Sequence, residues 1–402
     1  MRKVRKTTGH RNVCILCLLG ISVMLTCFLT GAECLASEKT DRTEQEVEEL
    51  SDIEEELLDL FEFGEVDEAL KELFPEERVD FKDTLMGVLS GDLTFSAELL
   101  NQLVLDQLDY AFRISRKNLI HILAIAAIAA VLHNFSGIFQ NRQIAGISFY
   151  VVYMLLIAIL LNSFRAVSEW VQTGVEDITA FMTVFCPLYF LAVSIAKGSV
   201  TSAAFYHLVL VLISLAEYVI LKIVIPVIHI YMMLKILNYL SEEDYLSKGA
   251  ELIGMIVNWG LKTLLACVIG LNVIQGMISP AIDTVKRSIL TRGAEAIPGV
   301  GDAIGGMTEV VLGTAVLIKN GIGMTGAIIC IALCVVPLVQ IGCITLLYHL
   351  AAAVIQPVSD KRIVGCVETA GEGCRMLMRV VFTTGMLFLL TIAIVTAVTG
   401  NI

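Results

Sequence analysis

Charge of the kind that grips nucleic acid is missing from this chain. Its 28 Lys and Arg are outnumbered by 40 Asp and Glu, and no basic stripe gathers the cations into a surface able to neutralise phosphates. Metal chemistry has no foothold either: past residue 36 there is no HExxH, no pair of CxxC motifs and no two-His-plus-carboxylate spacing. A Gly-Lys-Ser/Thr phosphate loop is likewise absent, so the chain carries no nucleotide motif of its own. Charged residues of all kinds make up only 17%, against 56% hydrophobic residues and a mean hydropathy of +0.80. That balance exceeds what one soluble core can bury, which points to an all-α, polytopic membrane helix bundle.

Residues 1–36 read as a secretory signal peptide, because Arg2, Lys3, Arg5, Lys6 and Arg11 precede an apolar run from Val13 to Thr30 and small residues follow at Ala36. An uncleaved anchor is the alternative; either leaves the next segment outside the cytoplasm. The CxxC of Cys14 and Cys17 would leave with the signal, and most of the eleven cysteines sit in apolar runs as small hydrophobes. Only Cys366 and Cys374 stand where a pair is conceivable.

Residues 37–117 form an acidic segment. Ser37–Asp80 alone holds nineteen acidic residues against Lys39, Arg42, Lys71 and Arg78, so the rest of the chain is close to neutral. Val47, Leu50, Ile53, Leu57 and Leu60 recur at helical spacing, and a second amphipathic stretch runs from Leu85 to Phe112. The segment is expected to be a small helical extracytoplasmic unit, either a solvated spacer or a docking element.

Residues 118–402 read as a membrane domain of seven or eight crossings. Its apolar runs are Leu119–Ile138, Ile144–Phe164, Ile178–Ala196, Ala203–Leu240, Leu252–Ser279, Glu309–Ile355 and Leu377–Val398. Ala203–Leu240 is long enough for either a Pro226-kinked span with an extension or two short crossings. Glu309–Ile355 reads as two spans parted by Lys319-Asn320 and Pro337. The positive-inside tendency puts Arg142, Lys197, Lys286, Arg287 and Arg292 on the cytoplasmic side, together with the loop charges Lys361, Arg362, Arg375 and Arg379 if Glu309–Ile355 crosses twice, and the acidic stretches Glu169–Asp177 and Glu242–Glu251 outside.

Ionisable residues inside such spans are costly and mark function or packing. On a continuous helix His207, Ser214, Lys222 and His229 fall within about 80° of one another, with Glu217 at the edge. Glu251, Asn258, Lys262 and Asn272 form a second stripe of similar width. These faces can line an aqueous path or bond helix to helix, and Lys222 and Lys262 can also snorkel. Residues 280–326 are dense in glycine; Pro298, Gly299, Gly301, Gly305 and Gly306 suggest a broken or re-entrant helix, with a surface helix plus loop as the alternative.

Ala296-Ile297-Pro298, Gly301-Asp302-Ala303, Val311–Ala315, Lys319-Asn320 and the run Lys197–Phe205 resemble the stage III sporulation protein AE family. The resemblance implies a multi-pass component of the channel complex linking mother cell and forespore, in the mother-cell membrane and required for late forespore development. It implies as partners the other proteins of the stage III sporulation A operon and stage II sporulation protein Q, besides membrane lipid, and is compatible with a homo-oligomer. No catalytic residue, cofactor or enzyme activity is implied. The alternatives are a secondary transporter built on Glu217, Lys222 and Lys262, and a passive membrane scaffold.

Overall fold

The computed structural model describes residues 63–74, 80–90, 142–197, 199–240, 244–294, 301–357 and 359–400, with a few isolated positions before residue 142. Residues 1–36, expected as a signal peptide, most of the acidic segment and of the expected span Leu119–Ile138, and Pro298 and Gly299 lie outside the described residues. The described elements are all helical: α1 (Gly64–Leu73), α2 (Phe81–Ser90), α3 (Arg142–Lys197), α4 (Ser199–Val219), α5 (Ile225–Leu240), α6 (Ser247–Ala294), α7 (Gly301–Ile355) and α8 (Lys361–Gly400). A π turn, Ile220–Val224, joins α4 to α5. Among the described residues five stretches are long and apolar enough to cross a membrane: Tyr153–Ala196, Tyr206–Leu240, Ser247–Ile274, Gly313–Ile355 and Lys361–Ala397.

Two expectations about chain breaks are corrected. Ile144–Phe164 and Ile178–Ala196 lie on one 56-residue helix, α3, and Glu169–Asp177 is helix rather than loop. The cause is an apolar face that runs on through the acidic stretch: Leu160, Phe164, Val167, Val171, Val175 and Ile178, three or four residues apart, are all buried. Arg165 pairs with Glu169 one turn on at 3.0 Å, so the charges decorate the outer face of a helix. Glu309–Ile355 is likewise part of one helix, α7, and Lys319 is wholly buried. Pro337 fits because its ring packs where Gly174 has no side chain; a Cβ there would lie 3.1 Å from the proline.

Ala203–Leu240 is helical throughout. Pro226 lacks an N–H and crowds the carbonyl four residues back, and the π turn just before it accommodates that mismatch.

α3 runs up, α4 and α5 down, α6 up, α7 down and α8 up, with α8 packed against α3, α5, α6 and α7. The core divides along this length. A lower cluster joins Tyr153, Leu160, Ile228, Met232, Val257, Ile344, Tyr348, Val367 and Leu377; an upper cluster joins Phe181, Phe185, Leu212, Ile322, Cys330 and Phe388. Each half is about 20 residues of helix, roughly 30 Å at 1.5 Å per residue.

The acidic helices belong to the upper half. Val66, Leu70, Phe81 and Leu85 are buried there, and Phe81 meets Phe185 with ring centroids 6.2 Å apart. The Asp67 carboxylate on α1 accepts the Phe81 N–H at 2.8 Å, while Asp80 caps α2 through the N–H of Lys82 at 2.9 Å. Burial raises the Asp67 carboxyl above the usual range, against the opposing pull of that N–H.

The ends of the bundle also revise the charge reading. Arg142 and Lys197, expected on one side, stand at opposite ends of α3. Lys361 and Arg362 begin α8 at the lower end, with the 240–247 connection, whereas Lys286, Arg287 and Arg292 lie toward the upper end of α6. Helix continuity overrides loop charge here.

Candidate functional site

On α8, Glu368, Glu372, Arg375 and Arg379 follow one another at spacings of four, three and four, which puts all four within about 60° on the helix surface. Each of the last three reaches a different neighbour. Lys235 of α5 donates to Glu372 Oε2 at 2.5 Å, and the Tyr231 hydroxyl donates to the same oxygen at 3.1 Å. The ammonium also lies 5.6 Å from the Tyr231 ring centroid, a cation–π distance. Arg375 donates to His349 Nε2 on α7. Arg379 Nη1 donates to Asn258 Oδ1 on α6 at 2.7 Å, and Asn258 Nδ2 in turn donates to the Gly254 carbonyl at 2.7 Å.

The stripe therefore ties three helices to the central one at successive turns. Glu372, Arg375 and Arg379 are half-buried, and so are Lys235, His349 and Asn258. Ion pairs at this depth are costly to break, because a lone partner would remain in a poorly solvated site. α6 and α7 both pack along α8 yet scarcely touch each other. The stripe thus faces α5, α6 and α7 in turn along one side of α8.

The residues singled out from the sequence are distributed differently. His207, Ser214 and Lys222 are exposed, Glu217 is half-buried, and His229 bonds Ser168 at 2.7 Å beside the Phe164 ring. The π turn explains the dispersal: it inserts the equivalent of one residue between Glu217 and His229, rotating everything beyond it by about 100°. On α6, Lys262 is exposed, Asn258 joins the stripe, and Asn272 is buried, donating to Thr391 Oγ1 at 2.9 Å. Gly301, Gly305 and Gly306 lie in the first turns of α7, while residues 295–300, with Pro298 and Gly299, lie outside the described residues, so the expected break falls where nothing is described.

The stripe on α8 was missed because Arg375 and Arg379 read as loop charges. The signal was present as the 4-3-4 spacing of two acids followed by two bases. Among the described residues no group of three His, Cys, Asp or Glu could hold a metal. Cys366 and Cys374 are both free and buried.

Comparison with known proteins adds family. The model of the family described as Stage III sporulation protein AE matches residues 79–399. The Stage III sporulation protein AE of Bacillus subtilis (strain 168) is 25% identical over 326 residues, covering 80% of each chain. No solved structure matches the chain.

Proposed function

The chain belongs to the stage III sporulation protein AE family, and from that premise we propose that it is a multi-pass component of a channel or secretion complex linking mother cell and forespore. In this reading it sits in the mother-cell membrane and is required for late forespore development. Its partners are the other proteins of the stage III sporulation A operon and stage II sporulation protein Q. It catalyses no reaction of its own, and any work drawn from ATP comes from a partner.

One observation supports a conduit shared with partners over a pore through this chain. Tyr153, Phe164, Phe181, Phe185 and Phe388 are fully buried in the two core clusters, so large apolar side chains occupy the described interior of both halves. Apolar side chains meanwhile remain exposed on α4 and α6, among them Val211, Leu215, Tyr218, Val273 and Ile274, a surface suited to other membrane helices. An autonomous permease is less well served, because Lys222 and Lys262 stand on the outer surface instead of converging with Glu217. The test is affinity isolation of the tagged chain from sporulating cells. Co-isolation of the operon proteins is expected; a chain that isolates alone, and that by itself moves solute across liposomes, refutes the proposal.

A further inference from the structure

The imidazole of His349 on α7 lies against Gly371 of α8, where a Cβ would come within 3.2 Å of its Cε1 and 3.3 Å of its Nε2. The spacing along α8 then puts one charge of each sign within reach of the ring. Arg375 stands four residues on from Gly371 and Glu368 three residues back, about 40° and 60° round the same side of the helix. Arg375 donates to His349 Nε2. A guanidinium has no acceptor, so Nε2 must keep its lone pair and the ring must be neutral, with its proton on Nδ1. Glu368, on the other side of the ring, is exposed. The rest of the stripe is engaged elsewhere: Lys235 and Tyr231 of α5 hold Glu372, and Asn258 of α6 holds Arg379. α3 meets the neighbouring Tyr348 through Ser163 and keeps its Arg165–Glu169 pair on an exposed face. The charged groups that act on the ring are therefore Arg375, Glu368 and Glu372.

We propose that His349 is a pH-operated toggle: neutral, it ties α7 to Arg375, and protonated, it releases the guanidinium and donates instead to Glu368. A second proton on the ring fills the lone pair that accepts from Arg375 and sets two cations against each other. The exposed carboxylate one turn away then becomes the favourable partner. Imidazole is the side chain whose ordinary pKa, about 6.5, puts such an exchange between pH 5 and 8. His349 and Arg375 are only half-buried, so the exchange needs no opening of the core. The helices keep their register throughout, because Tyr239 packs over Gly365 and Phe164 over Gly373, two positions without a side chain that key α8 against α5 and α3. Acid therefore alters the charge pattern this face offers a partner and leaves the shape of the bundle alone: Arg375 is freed and Glu368 is paired. The toggle stands whether or not the chain works within a channel.

The test is a proton titration of the full chain, purified in detergent with 13C at histidine Cε1 and followed by NMR. Among the six histidines, the resonance lost in His349→Gln identifies the ring. Salt at about 0.5 M screens charges that do not touch it. Two substitutions should move the half-protonation pH of His349 in opposite directions. Arg375→Gln removes the competing cation and should raise it by about half a unit; Glu368→Gln removes the acid-state partner and should lower it by a similar amount, each the weight of one partly exposed charge. Arg375→Lys, which keeps both donor and charge, should leave it near the wild-type value. An unchanged titration in Glu368→Gln overturns the toggle, because the protonated ring then has no new partner. An unchanged titration in Arg375→Gln overturns it too, since the neutral ring is then not tied to the guanidinium. Where Arg375→Gln loses helicity, Glu368→Gln decides by itself, because its side chain is exposed and the change spares packing.

Discussion

Replacing Gly326 by Ala sets two physical effects against each other with opposite signs. In an open helix the change should stabilise by about 1 kcal/mol, because alanine loses less backbone entropy than glycine. In this bundle the added methyl falls inside the van der Waals surface of the Phe185 ring, which is itself fully buried. The ring has little room to retreat: it stacks on Phe181 and Tyr189 with centroids 5.5 Å apart and meets Phe81 of the docked acidic helix at 6.2 Å. Overpacking of a tight core costs about 1–3 kcal/mol. With the displaced ring pressing on three neighbours we take the upper part of that range, so the net result is a loss of about 1–2 kcal/mol. In a chain of this size that lowers Tm by about 1–2 °C. The assay is thermal unfolding of the purified protein in detergent, followed by a thiol-reactive dye that reports exposure of buried cysteines such as Cys330. The double variant with Phe185→Leu should melt no lower than Phe185→Leu alone, since the ring that clashes is gone. A higher Tm for Gly326→Ala than for the wild type would refute the packing argument.

Three further outcomes are expected. Glu372→Gln, which leaves Lys235 half-buried without its carboxylate, should destabilise by about 1–3 kcal/mol in the same assay, and exchanging the two charges in Lys235→Glu with Glu372→Lys should restore most of it. Because burial raises the folded-state pKa of Asp67, its contribution is complete below the ordinary carboxylate value of about 4 and is lost as pH rises through the raised one; protease protection of α1 and α2 should therefore fall from pH 4 to pH 7, and Asp67→Asn should flatten that profile. Cysteines at Leu246 and Ser359, both at the lower end, should react from the same face of sealed vesicles, and one at Ser199 from the other; reaction of Leu246 and Ser359 from opposite faces would contradict the single-pass reading of α8's neighbours.

Composition alone determined that this is a helical membrane protein, because 56% hydrophobic residues in runs of about 20 leave a chain no other way to satisfy its backbone in lipid. Motif residues such as Ile297-Pro298 and Lys319-Asn320 determined the family, which the match over residues 79–399 shows. Helix continuity was legible in principle: the buried spacing Leu160, Phe164, Val167, Val171, Val175 passes through the acids of α3 without a break, but hydropathy averages each charge into its neighbourhood and so suggests a loop. The π turn was not legible, since nothing local distinguishes one extra residue in a turn from an ordinary kink, yet it alone disperses the face drawn through His207, Lys222 and His229. Partner choice was even less so. Asn258 could be placed on a polar face of α6, but only packing against α8 gave it Arg379, as only packing of α5 against α8 gave Lys235 its Glu372. Periodicity acts within one helix and is written along the chain, whereas pairing between helices depends on crossing and register, which only the assembled bundle sets.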